Sequence, residues 1–283
     1  MNRRTLNTLV LFTILLLANT MLVCASENDT VRVLLSTRPE QVRMGEPVTL
    51  LLEVRDRENK RIPSLPVVHE KQMHLIVVPA DLSRLAHLHP EPGDGGVFST
   101  SYVFPSGGRY RVYADMRGPD GRPLVVPFTL EVHGEKRPAT SVAEGLAQGY
   151  QSSAGGIRAE RTSPSDLISG KPLELGFELT DARTHGPVTD LQPYLGTMAH
   201  VIIIGGDGKD FLHAHTVGDG TSAVPGGGHG HAMHGEHKGS SLMRGTRLII
   251  HTTFPHPGLY RIWMQVQRNR QVITLPFVVS VEG

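Results

Sequence analysis

The feature that most constrains this chain is a pattern written twice. It reads MHLIVVPADLSRLAHLHP from Met73 to Pro90 and MAHVIIIGGDGKDFLHAHT from Met198 to Thr216. Each copy is a His, an apolar run, a turn and a His-x-His. His74 precedes His87 and His89 by 13 and 15 residues, and His200 precedes His213 and His215 by the same 13 and 15. The surrounding punctuation recurs as well. Pro39 to Gly45 and Pro164 to Gly170 both span six residues, and Gly45 to His74 is 29 where Gly170 to His200 is 30. Phe104-Pro105, Gly108 and Tyr110 return as Phe254-Pro255, Gly258 and Tyr260 with equal spacing. Self-similarity of this kind marks a tandem duplication, so the chain has to fold as two copies of one unit.

The unit reads as all-β. Val48, Leu50, Leu52 and Val54 alternate with Thr49, Leu51 and Glu53, the period of a strand with one buried face. Gly 31 and Pro 20 supply turn chemistry between short apolar runs, and helical period is absent over two turns. The expectation is two tandem immunoglobulin-like β-sandwich domains, over 28–133 and 148–283, joined by a linker at 134–147. The copies differ in one loop. His89 to Phe104 is 15 residues, but His215 to Phe254 is 39, and the insertion holds a His-rich, Gly-rich stretch at 225–241.

The N-terminus reads as a targeting segment. Arg3 and Arg4 precede an apolar stretch from Leu9 to Val23, and Val23-Cys24-Ala25 places small residues around a cut after Ala25. A signal peptide over 1–25 is the leading expectation, with acylation at Cys24 or an uncleaved anchor as alternatives. The protein is therefore expected in the periplasm or outside the cell. Beyond that segment no stretch is apolar enough for a membrane span. A cut would leave the near-neutral chain from Ser26 onward without a cysteine, hence without disulfides or thiolate ligands. No basic stripe points to nucleic acid.

The abundant side chain is His, at 15. A hairpin centred between Asp81 and Leu82 sets His74 opposite His89, and residues two apart on a strand share a face. His74, His87 and His89 then project from one side. In the second copy the centre falls between Asp207 and Gly208, inside GGDGKD, a good hairpin turn, and His200, His213 and His215 converge likewise. Three imidazoles on one sheet face suit a late transition metal. Met73 and Met198 flank the first His of each copy and, as soft thioether donors, would favour copper. Asp115 and Gln265 are aligned on a later strand as either a fourth ligand or a partner that orients one. The competing reading makes the imidazoles scaffold, satisfying buried carbonyls. The insertion adds His229, His231, His234 and His237, a tract suited to loose metal capture.

No nucleophile elbow, phosphate loop, dinucleotide fingerprint or zincin helix is present, so binding rather than catalysis is expected. The expected ligand is a copper ion, with zinc as the other candidate. A rival reading is a metal-free immunoglobulin-like interaction module that docks a partner protein of the cell envelope.

The stretches YLGTMAHVIII, FLHAH, LAHLHP, FPSGGRY and FPHPGLY make the chain resemble exported bacterial proteins with YtkA-like domains and, more loosely, CopC-type copper-resistance sandwiches. The resemblance covers both modules. It implies an immunoglobulin-like fold and metal or copper handling in the cell envelope. The first copy departs from the pattern, because QMH stands where the GxMxH form is expected.

Overall fold

The computed structural model describes residues 31–138, 141–143, 149–162, 166–216 and 246–283. The segment 1–25 and the loop 225–241, with His229, His231, His234 and His237, lie outside the described residues.

The first module runs through β1 (Arg32–Arg38), β2 (Pro47–Arg55), β3 (Met73–Pro79), β4 (Ala86–Leu88), β5 (Glu91–Pro92), β6 (Val97–Val103), β7 (Gly108–Arg117) and β8 (Pro123–Val132). One sheet has the order β1-β2-β6-β5 and the other β4-β3-β7-β8. The second module repeats this with β9 (Gln151–Ala154), β10 (Ile157–Arg161), β11 (Leu167–Ile168), β12 (Leu173–Asp181), β13 (Leu191–Gln192), β14 (His200–Gly205), β15 (Phe211–His215), β16 (Thr246–Thr252), β17 (Gly258–Arg268) and β18 (Gln271–Glu282). Its sheets are β16-β12-β10-β9 and β11-β18-β17-β14-β15, with β13 on the edge of β17. Each module is an immunoglobulin-like sandwich.

The alternating strands fill each core from one face. Val48, Leu50, Leu52 and Val54 of β2 pack with Met73, Leu75, Val77, Tyr110 and Val112, and the second module packs Phe177, Val201, Ile203, Tyr260 and Ile262 in the same way. Both modules pin the start of a long strand with a tyrosine. The Tyr110 hydroxyl donates to the Ser106 carbonyl at 3.1 Å, and the Tyr260 hydroxyl to the His256 carbonyl at 2.8 Å, four residues upstream in each case. This is the tyrosine corner of immunoglobulin sandwiches. Tyr110→Phe removes a donor from a buried carbonyl and is expected to cost about 1–3 kcal/mol. Urea unfolding reads this directly, and an unchanged midpoint would show that the corner does not hold the strand.

Two strands break the alternation. Met73 to Val78 of β3 and His200 to Gly205 of β14 are buried at every position. Their second faces are covered because the two modules pack sheet against sheet. Ile76, Val78, Leu82 and Tyr113 of the first module meet Ile202, Ile204 and Trp263 of the second in a cluster separate from either core. Polar contacts lock the packing from both sides. Arg111 donates to the Asp207 carbonyl at 2.7 Å, Tyr113 to the Gly208 carbonyl at 2.7 Å, and Arg261 to the Leu82 carbonyl at 3.1 Å. Gly208 has φ +74, a left-handed conformation that favours glycine, and the Arg111 guanidinium packs directly against it.

Candidate metal centre

The hairpin register sets the geometry. β14 pairs His200 with His215 and Ile202 with His213, and β3 pairs Ile76 with His87 and Leu75 with Leu88, one step short of His74 opposite His89. The one-face arrangement expected of each triplet is therefore realised. Within each triplet, one candidate ligand nitrogen per residue lies within 4.8 Å of the others. The His74 Nδ1 and His87 Nε2 atoms are 3.0 Å apart, and His200 Nδ1 and His213 Nε2 are 3.1 Å apart. Two nitrogens sharing an ion at bonds of about 2.0–2.1 Å in tetrahedral geometry would stand about 3.3 Å apart, so the spacing suits ligation.

Each ring is held from behind. His74 Nε2 donates to the Val68 carbonyl at 3.1 Å, and His200 Nε2 to the Tyr194 carbonyl at 3.0 Å. Both carbonyls open tight turns. The central residues His69 and Glu70 have φ 49 and 64, and Leu195 and Gly196 have φ 51 and 76, the left-handed pair of a type I′ turn. His87 Nδ1 meets Gln265 Oε1 at 2.8 Å, and His213 Nδ1 meets Asp115 Oδ2 at 2.7 Å. The Gln265 amide is oriented by donating Nε2–H to Thr274 Oγ1 at 3.1 Å. Val125 is the strand neighbour of Asp115 as Thr274 is of Gln265. A carboxylate has no N–H to satisfy, so an apolar residue can stand there.

These partners fix the tautomers. A carbonyl, amide oxygen or carboxylate accepts, so each outer nitrogen carries the proton and each inner nitrogen is a bare lone pair. Burial holds the His74 and His200 imidazoles below the ordinary histidine range, and those of His87 and His213 well below it. Burial also lowers His89 to about 4 and raises Asp115 to about 6. The rings are thus neutral at pH 7, with Asp115 ionised, and lone pairs confront each other at hydrogen-bond distance. His89 Nε2 is buried and meets no hydrogen-bond partner.

The two triplets are not separate. The His74 and His213 ring centroids are 5.1 Å apart, and His87 and His213 are 5.3 Å apart. The packing of the sandwiches brings the two triads into contact through His74, His87, His200 and His213. The convergence was missed at the level of sequence, although the unbroken apolar runs of β3 and β14 carry its signal, since a sandwich strand buried on both faces must be covered from outside. His69 was missed for another reason. It stacks on His215 with centroids 3.6 Å apart, but Leu195 occupies its place in the second copy, so the repeat gives it no support. A cavity of about 270 Å³ opens beside these rings, bordered by His69, His74, Asp115, His213 and His215.

The methionines go elsewhere. Met73 points into the first core, on the opposite face of β3 from His74, and Met198 packs against the second core. The matched turns explain the displaced Met: Met73 occupies the place of Ala199, also a core residue. Met116 and Met264 are likewise core residues. Both triplets therefore present nitrogen donors.

A family model described as Domain of unknown function (DUF8832) matches residues 26–134 and 152–283. No curated protein matches the chain. Among solved structures, the chain is similar to the Escherichia coli adhesin FdeC, at 16% identity over 89% of this chain and 64% of that one, with a TM-score of 0.28. It is similar to a Salmonella alpha-2-macroglobulin mutant at 14% identity over 92% of this chain and 15% of that one, with a TM-score of 0.30. The fibronectin(III)-like modules of Clostridium thermocellum CbhA match at 11% identity over 88% of this chain and 94% of theirs, with a TM-score of 0.23. The chain thus spans less than two thirds of the first two of these proteins.

Proposed function

Since the chain belongs to the DUF8832 family, whose description assigns no activity, its function has to be read from its own residues, and we propose that it is an exported metal-binding protein. The observation that carries this reading is the confrontation of neutral imidazole lone pairs at 3.0 and 3.1 Å. Neither a hydrogen bond nor burial explains why two acceptors face each other there. A cation between them does.

The ligands are His74, His87 and His89 in one triad and His200, His213 and His215 in the other. An all-imidazole set takes late divalent ions, and Cu(II) binds such donors most tightly of the first-row series. Copper is accordingly the proposed metal, with Zn(II) as its competitor, and the resemblance to YtkA-like and CopC-type proteins points the same way. The role is envelope metal binding, as a buffer, chaperone or resistance factor, and not catalysis. The loop histidines would gather metal near the second triad.

The test is a copper count by elemental analysis on the chain lacking residues 226–239, so that the loop contributes nothing. The otherwise unaltered chain should retain two ions after desalting. Its His87→Ala/His89→Ala/His213→Ala/His215→Ala variant should retain none. Equal counts would remove the triads as sites.

A further inference from the structure

Resting on that reading, we propose that the two triads form a single binuclear centre across the module interface, each half completed by a side chain of the other module. Asp115, from the first module, positions His213 of the second triad. Gln265, from the second module, positions His87 of the first triad.

The crossing is explicit in the hydrogen bonds. Asp115 lies directly opposite His74 in its own sheet, yet its Oδ2 accepts a hydrogen bond from His213 Nδ1–H at 2.7 Å, across the interface. Gln265 lies opposite His200 in its own sheet, yet its Oε1 accepts a hydrogen bond from His87 Nδ1–H at 2.8 Å. An isolated module would keep its three imidazoles but lose the group that holds the middle one. The rings of the two triads also touch edge to face, with His87 and His200 centroids 5.7 Å apart. Two ions held there would share one enclosure and feel each other's charge.

The halves are unequal by construction. A carboxylate behind a ligating imidazole raises its basicity and lowers the net charge of a bound divalent ion's surroundings, whereas an amide orients the ring without charge. The half containing His213 is therefore the stronger divalent site. The cavity is bordered by His213 and His215 of this half and by His74 of the other, so both halves reach it.

The experiment uses the full chain without residues 226–239 and Zn(II) or Cu(II) as probes. His87→Ala/His89→Ala leaves only the second triad, and His213→Ala/His215→Ala only the first. Chelator competition should give one ion in each. Adding Asp115→Asn to the first background should weaken its ion about 10–100-fold, although every ligand lies in the other module. Adding Gln265→Glu to the second background should tighten its ion, a gain that misfolding cannot produce. With the triads intact, two Cu(II) ions should give a mutually broadened paramagnetic resonance spectrum. Unchanged affinities in both backgrounds, or a spectrum that is the sum of two mononuclear ones, would overturn the pairing while leaving the triads standing. Absence of any ion in either background would remove the triads and the pairing together.

Discussion

Trp263→Ala should separate the modules without unfolding them. Trp263 is 2% exposed and belongs to the interface cluster, not to the core of its own module. Truncating a buried tryptophan costs about 3–5 kcal/mol, from lost transfer energy and the cavity left behind. Here that loss falls on the contact with Ile76, Val78, Leu82 and Tyr113, while Phe177, Ile203 and Tyr260 keep the second core intact. The far-ultraviolet circular dichroism should stay that of wild type. The hydrodynamic radius should rise, and copper affinity should fall, because Asp115 and Gln265 would leave the rings they hold. Retention of a wild-type radius together with wild-type affinity would mean that Trp263 is not what clamps the modules.

Acid should destabilise the metal-free protein in a defined window. The hairpin imidazoles are held below the ordinary value by burial, so the unfolded chain binds protons that the folded chain does not. Their contribution is complete above pH about 6.5, the unfolded value, and is lost as pH falls toward the folded values, which for His89 is about 4. Asp115 acts with the opposite sign. Its carboxyl is raised to about 6, so between its unfolded value and pH 6 the folded state takes up the extra proton, and stability falls with rising pH there. One carboxyl opposes five imidazoles, so the net slope follows the histidines, each adding at most about 1.4 kcal/mol per pH unit. Thermal unfolding after chelation, followed from pH 7.5 to 4.5, should show a midpoint that is flat and then drops. The variant lacking His87, His89, His213 and His215 should drop much less. Parallel curves for the two proteins would place the acid sensitivity elsewhere.

The sandwich and the hairpin register were legible because both rest on local rules. Val48 to Val54 alternates because one sheet face is wet, and GGDGKD can only turn, so the offsets of His200, His213 and His215 followed by counting. The meeting of the modules rests on surfaces far apart in sequence. Leu75-Ile76-Val77-Val78 and Val201-Ile202-Ile203-Ile204 mark strands covered on both faces without naming the cover. The roles of Asp115 and Gln265 show the same limit. Their alignment with each other is readable, whereas each one's partner belongs to the opposite copy. Met73 shows a different one: a single-residue offset moves a side chain to the other face of a strand, and a candidate sulfur donor becomes core packing.

The reciprocity of these contacts has a consequence for symmetry. Position 87 meets position 265 and position 213 meets position 115, while Arg111 reaches the second turn and Arg261 the first. Residue i touching j while j touches i is the rule of an isologous two-fold homodimer, here enclosed within one polypeptide. A true homodimer must place the same residue at both equivalent points. Covalent linkage lifts that obligation, so one half can carry Asp115 where the other carries Gln265. The duplicated fold thereby keeps the self-complementary shape of a dimer and gains two chemically distinct ends.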